Sequence, residues 1–184
     1  VDAKLTEAFW HVPHRCLGRR LRPLTLRHCF VLATAGNPLI CGGTVTQADI
    51  LQAVEICSRD ANFFLHGRKP NWIARQITGV ASMLDKLAIL RITAYFNDYA
   101  SAPGVWATEG GDRAKSHWTI SAVAGLCHWL GMDYEKAWNM TPGEASHMLA
   151  AAIEQSPHAK IDLVSEEEAA MIERIKAEEE VADA

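Results

Sequence analysis

Five residues near one end of the chain carry the ligand types of a zinc centre: His11, His14 and Cys16, with His28 and Cys29 a dozen residues later. Imidazole nitrogens and thiolates bind zinc when four of them converge tetrahedrally. The spacing matches no established zinc module, and Cys29 falls on an apolar helical face, so core and surface side chains are the plainer account. Thiol chemistry needs a cysteine held against an oriented base. Cys127 and His128 are sequence neighbours, and on a helix consecutive side chains point about 100° apart, which separates them. No Gly-x-Ser-x-Gly elbow, Walker loop, Rossmann glycine pattern or His-Glu-x-x-His occurs, and Gly42-Gly43 and Gly110-Gly111 read as turns. Asp85, Glu109, Asp112, Asp133, Glu135 and Glu144 are scattered without a repeated Glu-x-x-His pair, which argues against a di-iron bundle. No catalytic residue, metal or cofactor is therefore assigned. The chain is expected to be non-enzymatic, with a metal-dependent or thiol enzyme built on His11, His14, Cys16, His28 and Cys29 as the alternative.

Binding chemistry has more support. Six tryptophans, Trp10, Trp72, Trp106, Trp118, Trp129 and Trp138, are many for 184 residues. Most serve a helical core, while Trp10 and Trp106, in an arm and a loop, are the candidates for an interaction surface. The formal charge of −4 hides a polarity: Arg15, Arg19, Arg20, Arg22 and Arg27 crowd one end, and Glu166, Glu167, Glu168, Glu173, Glu178, Glu179 and Glu180 the other. The two faces are either simply solvated or meet complementary partners, including a neighbouring copy. Arg19 and Arg20 join the candidate binding residues. Nucleic acid is disfavoured, because the basic run is short and the whole chain acidic. Five cysteines, odd in number and mostly in apolar segments, read as buried free thiols of a reducing compartment. With no apolar run near the ~20 residues that span a bilayer and no cleavable leader pattern, a cytoplasmic location is expected.

The elements that would position these residues are helical. Thr25 starts a helix that Gly36-Asn37-Pro38 ends, and Thr46 with Asp49 starts another over 47–58. Apolar residues recur at three- and four-residue steps over 71–99, which predicts a spine of roughly 40 Å. Residues 101–111 read as a loop, 115–130 as a helix closed by Gly131, and 133–139 as one or two turns. Thr141-Pro142-Gly143-Glu144 combines an N-cap hydroxyl, a first-turn proline and a carboxylate that reaches back, opening a helix to about Gln155. Ser165 with Glu168 starts a last, thinly striped acidic helix. Ile161 to Val164 and Phe63 to Leu65 are candidates for a pair of short strands. The expected fold class is all-α, a helical domain around one long central helix with a C-terminal acidic helix. Its organisation reads as an N-terminal helical region (1–60), a central helical core (61–155), and a linker with the acidic helix (156–184), compatible with one domain.

Leu130-Gly131-Met132, Tyr134-Glu135-Lys136-Ala137-Trp138 and Met140-Thr141-Pro142-Gly143-Glu144 resemble, in order and over about 25 residues, the C-terminal part of tail assembly chaperones of tailed bacteriophages. There a short helix ending in tryptophan precedes a Thr-Pro-x-Glu start to an alanine-rich helix, as at Ala145 to Ala152. The stretch from Leu21-Arg22-Pro23-Leu24-Thr25-Leu26 through Ala35-Gly36-Asn37-Pro38-Leu39 to Ile56-Cys57-Ser58 is similar to prophage proteins of tail gene clusters. The resemblance implies a helical, oligomer-forming host-cytoplasm factor that binds the tape-measure protein, keeps it soluble and helps recruit the tail-tube protein. The family's members vary too widely to transfer a binding residue; the protein-binding candidates of this sequence are Trp10, Trp106, Trp138, Arg19 and Arg20. A structural tail or connector component is the alternative within the same class.

Overall fold

A computed structural model of the chain describes Phe9, residues 12–65, 87–100, 102, 104–107, 117–155, 161–164 and Met171, with backbone alone for 104–107 and 161–164. A two-residue hairpin of β1 (Arg15–Cys16) and β2 (Arg19–Arg20) leads into α1 (Leu26–Thr34), α2 (Pro38–Cys41), α3 (Gln47–Cys57) and α4 (Asn62–Leu65). Then come α5 (Ala88–Ala100), β3 (Gly104–Ala107), α6 (Trp118–Leu130), α7 (Tyr134–Trp138), α8 (Pro142–Glu154) and β4 (Ile161–Val164).

The helix starts follow the local chemistry. Thr46 accepts from the Asp49 amide at 3.4 Å while the Asp49 carboxylate takes the Thr46 amide at 2.8 Å, and Thr141 with Glu144 repeats the exchange at 3.2 and 3.0 Å. Asp133 caps α7, and Gly131, at φ 60°, closes α6 in the left-handed conformation that a side chain would strain. Asn37, expected to help end α1, also caps α2, because its carboxamide accepts from the Leu39 amide with Pro38 at the first helical position.

Two cores share α1. The first joins the hairpin (Cys16, Leu17) and Leu21 and Leu24 to Cys29 and Leu32 of α1, Ile50 through Cys57 of α3, and Ile92, Tyr95, Phe96 and Tyr99 of α5. The second joins Leu26 at the head of α1 to Val123 and Leu126 of α6, Ala137 and Trp138 of α7, and Ala145 of α8. Small residues bring α6 and α8 together: a Cβ at Gly125 would come within 2.9 Å of a Leu149 methyl.

The chain is largely helical, with corrections to the expected detail. Among the described residues no one helix dominates, since α5, α6 and α8 have thirteen residues each. The spine expected over 71–99 is described only from Leu87, a turn residue, and α5; residues 71–86 lie outside the described residues, as does the acidic helix apart from Met171. The loop expected over 101–111 contains β3, whose Val105-Trp106 are strand formers, paired antiparallel with β4 in the register Trp106↔Asp162. Phe63 to Leu65 is not the partner of Ile161 to Val164. It lies in a helical turn, because the Asp60 carboxylate takes the Asn62 amide at 2.9 Å and starts α4 instead.

Candidate groove between the first and sixth helices

The first turn of α1 is fixed from both ends of the chain. Thr25 caps it, and the Leu26 amide donates to the Met140 carbonyl at 2.8 Å, which draws the start of α1 onto the segment that enters α8. Leu26 then enters the second core, and Arg27 beside it is carried to the junction of α1, α4 and α7 with 5% of its surface exposed. A buried cation needs partners on every side. Its guanidinium donates to Asn62 Oδ1 and, at 2.8 Å, to Glu135 Oε2, and lies 5.9 Å from the Trp138 ring centroid.

Around this cation lies an open groove of about 500 Å³. Phe30 and Trp138 meet edge to face at 5.5 Å, Tyr134 stands against Trp138 at 6.1 Å, and Leu65, Ile120 and Val123 complete the apolar wall. Leu65, Ile120 and Tyr134 are 51%, 43% and 59% exposed, so the wall is open to solvent. Arg27, Asn62 and Glu135 give it one polar spot. Such a surface accepts large apolar side chains and orients them by a polar neighbour, as a groove for an amphipathic helix does.

His28, the next residue of α1, is 3% exposed and completes its cap. Nε2 lies 2.9 Å from the Arg59 carbonyl, and Nδ1 lies 2.9 Å from Thr25 Oγ1 and takes the Thr25 amide at 3.3 Å. The neutral tautomer with the proton on Nε2 satisfies all of these. Burial lowers the imidazole pKa from its ordinary 6.5, against the opposing pull of the Arg59 carbonyl and the Asp60 charge. The unfolded chain therefore binds the proton first as the pH falls. His28 contributes stability that is complete above pH 6.5 and is lost as the pH falls through the lowered folded value. The unfolding free energy should accordingly decline below that pH, by up to about 1.4 kcal/mol per pH unit from this group. His28→Gln keeps a capping-box side chain without the titration, so it should flatten that part of the slope. Denaturant titrations across the acidic range test it, and an unchanged slope in the variant would assign the loss to other groups.

The candidate binding residues are dispersed. Trp138 is 8% exposed and forms the floor of the groove. Arg19 is half-buried and donates to Ser58 Oγ at 3.4 Å, while Arg20 is exposed at a second cleft beside Tyr99. Trp106 contributes a backbone position in β3, and Trp10 lies outside the described residues. Trp118 and Trp129, expected in the interior, are 44% and 52% exposed. Helix α6 is apolar almost all round, so periodicity alone does not choose its buried face. That excess of apolar surface was the available sign of the groove wall at Ile120 and Val123.

The His and Cys ligand types do not converge. His14 lies 2.8 Å from Asp98 against Tyr95 and Tyr99, the Cys16 thiol faces the Ala88 carbonyl, His28 caps α1, and Cys29 sits in the first core; His11 lies outside the described residues. Among the described residues no three His, Cys, Asp or Glu side chains form a metal-holding group. Burial raises the Cys29 thiol far above its ordinary range and pushes Cys57 up to about 12, opposite to what a reactive thiolate needs. Cys41 is exposed rather than buried. No described helix is long and apolar enough to cross a membrane. Comparison with protein-family models, curated proteins and solved structures gives no match to this chain.

Proposed function

We propose that this chain is a non-enzymatic protein-binding factor, a tail assembly chaperone of tailed bacteriophages that holds helical segments of the tape-measure protein and keeps them soluble in the host cytoplasm. The groove carries the reading: an exposed apolar wall of Leu65, Ile120 and Tyr134 around the buried Arg27 guanidinium and its exposed partner Glu135 suits the apolar face of an amphipathic helix. The resemblance of Tyr134 to Glu144 supports the same reading, since Tyr134, Glu135 and Trp138 line the groove and Thr141 and Glu144 start the helix that packs behind it.

Co-expression with the tape-measure protein of the same tail gene cluster tests it. The client should move into the soluble fraction with the native chain. Ile120→Glu places a carboxylate on the apolar wall at an exposed position, so it should leave the circular dichroism unchanged and reduce client recovery by about tenfold, an estimate based on losing one central apolar contact. A client equally soluble without this chain would overturn the chaperone reading. A client rescued fully by the Ile120→Glu chain would remove the groove from it.

A further inference from the structure

The hairpin before α1 places two arginines side by side. Its turn runs through Leu17 and Gly18 at φ 49° and 74°, and Leu17 holds that conformation with its side chain buried in the first core. The register sets Arg15 opposite Arg20 and Cys16 opposite Arg19. The Leu21 amide donates to the His14 carbonyl at 2.9 Å, so Arg15 and Arg20 are the intervening non-hydrogen-bonded pair, with Cα atoms only ~4.5 Å apart. Cys16 turns inward, and the two arginines face outward, exposed. Like charges directly opposite one another destabilise a hairpin.

Among the described residues no carboxylate pairs with either. Residues 8–48 contain five arginines and no carboxylate. Among the described residues Asp60 lies 3.7 Å from Arg22 and Asp98 2.8 Å from His14, so these carboxylates face other bases. Among the described residues Arg15 and Arg20 have neither a hydrogen bond nor an ion pair. Beside the pair opens a cleft of about 480 Å³, with Arg20 and Arg22 at its rim and Val12, Leu21 and Tyr99 among its apolar lining.

The matching chemistry is in the chain itself. Residues 165–184 carry eight acidic side chains against two basic ones, interleaved with Met171, Ile172 and Ile175. Met171 is 65% exposed, so that apolar position is not packed against the body of its own copy. We infer that the Arg15–Arg20 pair and its cleft receive the acidic 165–184 segment of a second copy, carboxylates on the guanidinium pair and an apolar side chain in the cleft. The contact is head to tail: each copy offers one cleft and one acidic segment, so assembly continues along a line or closes into a ring. It does not depend on the client groove, which uses different residues.

Sedimentation velocity of the full chain should show concentration-dependent association at about 0.05 M salt that weakens roughly tenfold by about 0.5 M, where exposed charges are screened. Arg15→Gln/Arg20→Gln should leave a monomer with native circular dichroism, and separately removal of 165–184 should leave a monomer that still unfolds cooperatively. Mixing these two variants restores one intact contact, from the cleft of the truncated chain to the acidic segment of the other. The mixture should form a one-to-one heterodimer and stop there. Should the hairpin variant fail to fold, Arg15→Glu/Arg20→Glu mixed with a Glu178→Lys/Glu179→Lys/Glu180→Lys chain provides the same complementation with reversed charges. A mixture that stays monomeric, or a truncated chain that associates as strongly as the full one, would overturn the inference. So would a short DNA duplex that binds through Arg15 and Arg20 while the mixture stays monomeric, since it would assign the pair to phosphate.

Discussion

Replacing Arg27 by alanine is expected to lower the stability of the fold by about 3 kcal/mol, more than replacing its ionic partner does. The side chain is 6% exposed and Glu135 is 64% exposed, so the two ends of the pair are unequal. Glu135 regains water when the arginine is removed, and its exposure limits the value of the ion pair itself to about 1 kcal/mol. What alanine cannot replace is the volume of a buried aliphatic stem, the guanidinium beside the Trp138 ring and the donor to Asn62. Arg27→Met restores the stem, and its cost should fall to about 1 kcal/mol, because burying a charge offsets much of what its pairing gains. Glu135→Ala should cost about 1 kcal/mol as well. Denaturant midpoints of the three variants decide it, and equal losses for alanine and methionine would mean that charge rather than packing holds the junction together.

The same junction shows where sequence reasoning stops. The caps read at Thr25, Thr46 and Thr141 depend on residues within three positions and are made in the structure, while the one read at Ser165 lies outside the described residues. Arg27 reaches Asn62 across 35 positions and Glu135 across 108. Such pairings depend on how helices pack, and a single sequence carries no record of it. Arg27 was therefore legible only as one of five clustered arginines. Trp138 was legible through its place before the Thr141 cap, but the identity of its neighbours was not. The strand pair was half legible. Ile161 to Val164 was read as a short strand and is one, but its partner was not, because Val105-Trp106 is too short for an alternation to register and is surrounded by Gly, Ala and Ser that read as loop.

Tyr95→Ala should be the other severe substitution, at about 4 kcal/mol, because it empties the middle of the first core. The ring is fully buried and meets Tyr99 at 5.2 Å, Phe96 at 5.4 Å and His14 at 5.4 Å, in each case edge to face. Its hydroxyl donates to the Arg22 carbonyl at 2.9 Å, on the strand exit that is also held by the Arg22 amide on the Cys57 carbonyl at 2.8 Å. One side chain thus fastens the hairpin, α3 and α5 together. Burial raises the Tyr95 hydroxyl well above its ordinary range and keeps Cys57, within hydrogen-bonding reach of it, protonated at neutral pH. Tyr95→Phe keeps the ring and removes one hydrogen bond to a carbonyl on an exposed residue, so it should cost only about 1 kcal/mol. The thiols offer a second readout. In the native chain Cys41 should react promptly with an aromatic disulfide reagent, while Cys16, Cys29 and Cys57 stay protected until unfolding. Tyr95→Ala should expose Cys57 to the reagent under native conditions, and Tyr95→Phe should not. Equal protection of Cys57 in the alanine variant, together with an unmoved denaturation midpoint, would show that the hairpin and α3 are joined without this ring.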